Sequence, residues 1–171
     1  MPARSWSRLS HPFLRPAARP GVSTILGDRL LIGEYPTPDD VAWLRDEHGV
    51  EAVVSLQDDI DLNYKGIDRP SLSRAYADAR IPLHRFGVVD GDPEDLLASL
   101  GPILARLHAL LAGGRRVYLH CNAGFNRAPT VAIAYLRAYR GRTIDEAHAE
   151  VQARRACAPY LTILRRYFGD P

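Results

Sequence analysis

Residues 117–130 read VYLHCNAGFNRAPT and join a strand, a loop and the start of a helix. The segment 116–120 is short and mostly apolar, which predicts a buried strand. The segment 127–139 is apolar and rich in alanine, which predicts a helix. Between them lie Cys121 and Arg127, with a glycine midway. A strand that runs through a short loop into a helix is the building unit of α/β folds.

Strands and helices also alternate on both sides of this segment. The patterns predict a pair of short strands within 24–32, around a Gly-Asp turn, and a polar surface loop over 58–61 and 63–66. Further strands are predicted over 52–56 and 81–86, and helices over 37–49, 71–79, 94–111, 143–155 and 159–168. This order predicts an α/β fold with a central, mainly parallel sheet of about four to five strands flanked by helices. Reactive residues are then expected at the carboxyl edge of the sheet.

Composition limits the kinds of protein that the chain can be. Its 171 residues, 46% of them hydrophobic, suit one ordinary globular core. The net charge of +2 gives no overall field for nucleic acid, and no apolar run approaches the ~18 residues of a membrane span. Two cysteines form no disulfide framework, and the six histidines show no metal-ligand spacing. We therefore expect a cytoplasmic monomer with no nucleic-acid partner, no membrane span and no metal or other cofactor.

Residues 1–20 differ from the rest of the chain, because they contain four arginines, several prolines and no acidic residue. Prolines interrupt helices, so we expect a disordered leader. The alternative is a transit peptide, which is typically rich in Arg and Ser and poor in acidic residues.

The loop between Cys121 and Arg127 has the features of an oxyanion site. Consecutive backbone N–H groups in a tight loop can point into one concavity, and the helix that follows adds the positive end of its dipole. Gly124 can adopt a positive φ and allows close approach to a ligand. Arg127 offers a fork of donors for two phosphate oxygens. We therefore expect phosphate to bind Arg127 and the loop residues Asn122, Ala123, Gly124, Phe125 and Asn126.

A nucleophile and an acid complete the predicted chemistry. The positive field at the loop favours the thiolate of Cys121, which makes it the predicted nucleophile. His120 would orient the loop through a hydrogen bond. The leaving group needs a proton, which an aspartic acid on a loop at the same sheet edge would supply. Asp90 is the preferred acid and Asp92 is the alternative. Asp92 ranks second because it precedes Pro93, a pattern that is typical of a helix cap.

The motif His120-Cys-x-x-Gly-x-x-Arg127, with an acid upstream, resembles the cysteine-based protein tyrosine phosphatase superfamily in its dual-specificity branch. The resemblance implies a dual-specificity phosphatase-like catalytic domain over residues 21–171. It also implies that Cys121 is the nucleophile, Arg127 the phosphate clamp and Asp90 the acid.

A narrower likeness, over roughly residues 30–160, is to the plant glucan phosphatases that dephosphorylate starch. It is carried by the short segments 31–33, 55–58, 64–68, 124–129 and 155–159. It implies that Tyr64 binds substrate by stacking on a sugar ring. The likeness also predicts a tryptophan beside Tyr64, but this chain has a lysine, Lys65, at that position.

These residues allow more than one substrate. The leading hypothesis is hydrolysis of a phosphoprotein or phosphoglucan monoester through a phosphocysteine intermediate. A phosphatidylglycerophosphate-type lipid phosphatase and a non-catalytic phosphate-binding interaction module are the alternatives. Residues 122–126 put no extra positive charge beside the phosphate, which favours protein or glucan over lipid.

Overall fold

Among residues 19–171, which the computed structural model describes, five strands form one sheet. Their bounds are Val22–Leu26 (β1), Leu30–Gly33 (β2), Ala52–Ser55 (β3), Leu83–Arg85 (β4) and Val117–His120 (β5). Their order is β1-β2-β5-β3-β4. β1 and β2 form an antiparallel hairpin, and all other neighbouring strands are parallel. The predicted α/β class and the mainly parallel sheet of four to five strands are confirmed.

Helices cover both faces of the sheet. A 3₁₀ turn at Pro38–Asp40 leads into the first helix. Within the described part of the chain the α-helices are Val41–His48 (α1), Asp59–Lys65 (α2), Arg69–Asp78 (α3), Pro93–Ala112 (α4), Arg127–Tyr139 (α5), Ile144–Arg154 (α6) and Leu161–Phe168 (α7).

Alternation along the strands divides the apolar core into two layers. Successive side chains of a strand point to opposite faces of the sheet. Val117 and Leu119 of β5 therefore pack with helices α4 to α7, whereas Tyr118 packs with α1 to α3. All three side chains are fully buried, as expected for a parallel strand covered on both faces. The loops at the carboxyl ends of these buried strands thus rest on a well-packed base.

The prediction of a surface loop over 58–61 and 63–66 is wrong, because α2 occupies most of this stretch. The side chain of Asp58 accepts a hydrogen bond from the N–H of Asp61 at 2.7 Å. Asp61 Oδ2 accepts one from the N–H of Asp58 at 3.2 Å. This reciprocal cap satisfies donors that the start of a short helix leaves unpaired. Gly66 ends the helix in the left-handed conformation, with φ of 65°.

Helix α4 is long and apolar enough to be compared with a membrane-spanning helix, although the sequence predicts no membrane span. It has 20 residues and a mean hydropathy of 1.3 over its most apolar window, so its length and composition would allow it to cross a membrane. The core helix of a soluble protein meets the same criterion. Here α4 packs against α5 and α7, and Leu96, Leu100, Ile103 and Leu107 on one face are fully buried. The absence of a span stays a prediction.

The predicted leader over residues 1–20 lies almost wholly outside the described residues. Only Arg19 and Pro20 belong to the described part. Arg19 Nη1 donates a hydrogen bond to Asp39 O at 2.8 Å and pairs with Asp40 at 3.0 Å. Pro20 is buried. These two residues therefore pack on the domain that follows them.

Candidate active site

The loops that follow β3 and β5 leave the sheet side by side. The two strands are parallel neighbours, and Ser55 of β3 pairs in register with His120 of β5. Residues 121–126, which we call the Cys121 loop, lead from His120 into α5, whose first residue is Arg127. The predicted strand, loop and helix are thus present at the carboxyl edge of the sheet, where parallel α/β proteins place their ligands.

The carbonyl oxygens of the Cys121 loop are held by the surrounding protein. The bonds to residues 122–126 are Tyr35 N to Asn122 O (2.9 Å), Arg155 Nη2 to Ala123 O (2.9 Å), Arg155 Nε to Gly124 O (2.7 Å), Ala158 N to Phe125 O (2.8 Å) and Thr130 N to Asn126 O (3.1 Å). None of the five N–H groups of the same residues donates a hydrogen bond within the described part of the chain. A run of unpaired N–H groups with its carbonyls engaged on the outside is an anion nest.

Gly124 and Arg155 together fix the shape of this loop. Gly124 has φ of 61°, and a Cβ atom there would lie 2.6 Å from the carbonyl carbon and oxygen of Gly33 in β2. Glycine is therefore required both for the left-handed backbone and for the close approach of the two chain segments. Arg155 donates to two successive carbonyls of the loop. This role of Arg155 could not be predicted from the sequence, because Arg155 lies 31 positions from Gly124 and only the fold brings the two together.

One end of the Arg127 guanidinium is anchored in the protein interior. The side chain is 1% exposed. Its Nη1 donates to Leu56 O at 3.2 Å, to Asp61 Oδ2 at 2.8 Å and to Val88 O at 2.7 Å. These three acceptors come from the segments after β3 and β4, so they fix the direction in which the rest of the guanidinium points.

The other end of Arg127 is left for a ligand. Nε and Nη2 are buried and have no hydrogen-bond partner among the described residues. Nη2 lies 3.2 Å from Asp90 Oδ1, which is an ion-pair distance without hydrogen-bond geometry. Burial alone would lower the pKa of Arg127, but the charges of Cys121, Asp61 and Asp90 raise it above its ordinary value. An unpaired buried donor costs about 1–3 kcal/mol, which an anionic acceptor would relieve.

Cys121 lies at the bottom of a small cavity. Its side chain is 3% exposed. The cavity has a volume of about 40 Å³ and is lined by Asp90, Cys121, Asn122, Ala123, Phe125, Asn126 and Arg127. A volume of this size holds about three water molecules, and therefore one phosphate group but not a whole sugar ring. The Cys121 thiol, loop N–H groups and the Arg127 guanidinium thus border a space that could hold the phosphate group of an ester.

The structure gives Asp90 and Asp92 different surroundings. Asp90 lines the cavity, and its Oδ2 accepts a hydrogen bond from Asn122 Nδ2 at 3.3 Å. Asp92 instead caps α4, because its Oδ1 accepts from two N–H groups of the first helical turn, each at 3.0 Å. Of the two predicted candidates, Asp90 is therefore the one placed to exchange a proton with a bound ester.

A polar network beneath the cavity was not foreseen from the sequence. Gln57 Nε2 donates to Asn122 Oδ1 at 2.8 Å, and Asn122 Nδ2 donates to Asp61 Oδ1 at 2.6 Å. Asp61 in turn accepts from Arg127. The side chain of Asn122 therefore links the carboxylate behind Arg127 to Asp90, while its backbone belongs to the anion nest. The spacing Asp58-x-x-Asp61 before Gly66 was the one available signal, since it matches a helix cap.

His120 and Tyr64 occupy unlike positions. His120 is 2% exposed, and its Nδ1 donates a hydrogen bond to Cys121 O at 3.0 Å, which is the kind of contact that the predicted orienting role requires. Tyr64 lies on the outer face of α2, 56% exposed, beside Ile60 and Asn63 around a shallow hollow. It does not line the cavity at Cys121. Tyr64 is thus placed to contact a part of a substrate remote from the phosphate.

Residues 32–161 match the family described as dual specificity phosphatase, catalytic domain. The chain belongs to this family. The predicted superfamily and branch are therefore confirmed. Similar proteins include phosphoglucan phosphatase DSP4 of Castanea sativa, 34% identical over 145 residues, and phosphoglucan phosphatase LSF1 of Arabidopsis thaliana, 29% identical over 123 residues. The likeness of this dual-specificity phosphatase family member to plant glucan phosphatases is thus also confirmed.

The alignments do not span those relatives. They cover 82% and 72% of this chain but 38% and 21% of the DSP4 and LSF1 proteins. The chain therefore corresponds to well under half the length of either relative. Among solved structures, Tk-PTP in its active form is similar with a TM-score of 0.70 and 23% identity, over 87% of this chain and 94% of that one. This likeness supports the dual-specificity phosphatase fold.

Proposed function

We propose that this protein hydrolyses phosphate monoesters through a covalent phosphocysteine on Cys121. One observation carries the proposal: the cavity that holds Cys121 is lined by Arg127, which has two donors without a hydrogen-bond partner, and by four of the five loop residues whose N–H groups donate to no described residue. The non-bridging oxygens of a phosphate are the acceptors that such a set lacks. Donors fixed before the substrate arrives stabilise the charge that develops during phosphoryl transfer.

In the first step the thiolate of Cys121 attacks phosphorus, an S–P bond forms and the bond to the ester oxygen breaks. The departing oxygen takes a proton from Asp90, which lines the same cavity. The N–H groups and Arg127 hold the three equatorial oxygens throughout. His120 keeps the loop in place through its bond to Cys121 O.

In the second step water attacks the phosphocysteine. The carboxylate of Asp90, now deprotonated, accepts a proton from this water. The S–P bond breaks, and inorganic phosphate and the Cys121 thiolate are released. The scheme draws on positioning and fixed electrostatics of the chain's own residues.

The proposed substrate is a phosphoglucan or a phosphoprotein. Its support is the likeness to two phosphoglucan phosphatases and the 56% exposure of Tyr64, an aromatic residue of the type that stacks on sugar rings. The proposal includes a cytoplasmic location and a monomeric state. A reducing compartment suits the scheme, because the reaction needs Cys121 as a free thiol and both cysteines are free.

Turnover of an aryl phosphate by wild type, Cys121→Ser and Cys157→Ser tests the reaction. Cys157 is the matched control, since it is also a buried free cysteine but does not line the cavity. We expect Cys121→Ser to lower kcat by more than about 10³-fold and Cys157→Ser to retain activity. Acid-quenched wild type should carry one phosphoryl group on Cys121, seen by peptide mass spectrometry. Wild type that binds phosphate but shows no turnover would instead be a non-catalytic phosphate-binding module.

A second assay addresses the substrate. Solubilised phosphoglucan, a phosphotyrosine peptide and phosphatidylglycerophosphate vesicles are compared under one set of conditions. We expect phosphoglucan or phosphopeptide to give the highest kcat/KM. A lipid that exceeds both would contradict the proposed substrate class while leaving the reaction intact.

A further inference from the structure

Lys65 is the single lysine of the chain, because the other 21 of its 22 Lys and Arg residues are arginine. It is the last residue of α2 and is half-buried. Asp61 lies four positions earlier, so the two side chains share one face of the helix. On that face Asp61 contacts Arg127 and Asn122. The helix therefore brings Lys65 to the wall of the candidate active site.

A ring contact defines which part of the wall Lys65 occupies. Its Nζ lies 5.1 Å from the centre of the Tyr35 ring, within the range of a cation–π interaction. The N–H of Tyr35 donates to Asn122 O at 2.9 Å, so Tyr35 packs directly on the Cys121 loop. Lys65 itself does not line the cavity. Tyr35 thus connects the Lys65 ammonium group to the Cys121 loop that borders the cavity.

The charges of the site act on Lys65. Burial lowers its pKa, Asp61 and Asp90 oppose that shift, and Arg127 adds to it. The ammonium group is therefore within electrostatic reach of the residues around the cavity. A phosphate in the cavity has three non-bridging oxygens, which the loop N–H groups and the free end of Arg127 already supply with donors. The positive charge of Lys65 is thus not required to bind the phosphate in the cavity.

We propose that Lys65 forms a subsite for a second anionic group of the substrate, a phosphate or carboxylate carried close to the scissile phosphate. The inference rests on the proposed phosphatase function and adds a substrate class to it. A lysine ammonium is a point charge on a flexible stem, so it suits an anion whose position varies among substrates. Partial burial strengthens its attraction for an anion relative to bulk water.

A pair of esters that are matched in shape but differ in charge tests the subsite. Meta-carboxyphenyl phosphate carries a second anion, and meta-carbamoylphenyl phosphate has nearly the same shape without that charge. The measured quantity is the ratio of their kcat/KM values in each variant, so effects common to both esters cancel. We expect Lys65→Gln to lower the carboxylate-to-amide ratio by about fivefold, as for a partly exposed ion pair, and Lys65→Arg to keep it. Arg69→Gln removes an exposed charge that pairs with Asp59 at 3.3 Å, and it should leave the ratio unchanged.

The single lysine also allows a direct binding readout. Reductive methylation with labelled formaldehyde marks the Lys65 amine and the chain terminus, and the Lys65→Arg variant assigns the two NMR signals. We expect methylenediphosphonate, which carries two phosphonates, to shift the Lys65 signal at least twice as far as inorganic phosphate does at saturation. A structural role for Lys65 predicts equal shifts.

The outcomes separate this inference from the function on which it rests. Turnover of both esters, with the same ratio in wild type and Lys65→Gln and equal NMR shifts, overturns the subsite and leaves the phosphatase standing. Turnover of neither ester by wild type overturns both. A ratio that falls equally in Lys65→Gln and Arg69→Gln reflects general charge attraction and also overturns the subsite.

Discussion

The Cys121 loop and helix α2 meet Arg127 from opposite sides. The loop presents N–H groups that have no partner, whereas α2 presents the carboxylate of Asp61, whose two oxygens are bonded to Arg127 and Asn122. The loop N–H groups therefore lack hydrogen-bond partners within the described part of the chain, whereas both oxygens of the Asp61 carboxylate have them. The difference lies in the two ends of the Arg127 guanidinium: the interior satisfies Nη1, whereas Nε and Nη2 have no hydrogen-bond partner among the described residues.

Substitutions at the cavity should remove groups that the proposed reaction needs. Substitutions on helix α2 should leave those groups in the protein but displace them. Variants of the two regions should therefore differ in the size and in the kind of their effects.

Arg127→Lys should have the largest effect in this comparison. Lysine cannot donate to Leu56, Asp61 and Val88 at one end while it offers a fork at the other. We expect kcat/KM on an aryl phosphate to fall by about 10³-fold, the scale for loss of a fixed oxyanion donor. Arg137→Lys is the control, because Arg137 lies on the same helix but pairs with Asp170 instead. Equal losses in both variants would contradict the assigned role of Arg127.

Asp90→Asn should affect substrates according to their leaving groups. Without an acid, phenyl phosphate should react about 10²-fold more slowly, while an activated nitrophenyl ester should change little. Asp92→Asn is the control, since asparagine caps a helix as well as aspartate does. The steady-state rates of both variants on both esters measure this leaving-group effect. A larger leaving-group effect in Asp92→Asn would assign the acid to Asp92.

Asp61→Asn should have an intermediate effect with a different signature. It removes a charged partner of buried Arg127, which we expect to lower the free energy of unfolding by about 3 kcal/mol. Misplacement of the guanidinium should lower kcat/KM by about 10- to 100-fold. Urea titration and kinetics measure the two effects. Asp58→Asn, at the cap of the same helix, should change neither appreciably, because asparagine can replace aspartate there.

Tyr64→Ala should have the smallest effect. The side chain is 56% exposed and lies outside the cavity, so stability should change by less than about 0.5 kcal/mol. Aryl phosphate turnover should be unchanged, whereas phosphoglucan turnover should fall about threefold through loss of a stacking contact. Equal kcat/KM of wild type and Tyr64→Ala on phosphoglucan would remove Tyr64 from the substrate site.

The sequence revealed the parts of the site that are local along the chain. The Cys121 loop, its flanking strand and helix, and the turn that bears Asp90 all follow from neighbouring residues. Asp61 did not follow, because it lies 66 positions from Arg127, and only the pairing of β3 with β5 brings the two together. Helix α2 was missed because its short polar sequence lacks apolar periodicity. The capping residues Asp58 and Gly66 can be recognised in the sequence, but the same residue types also occur in turns.

The turn that carries Asp90 is short and held at both ends. Before it, Val88 O accepts from Arg127 and the N–H of Val89 donates to Asp95 at 2.8 Å. After it, Asp92 fixes the start of α4. In many enzymes a long lid must swing shut in each cycle, and its motion limits the rate. A turn tethered in this way has little distance to travel, so a bound substrate would meet the Asp90 side chain already in position, and turnover should be insensitive to solvent viscosity.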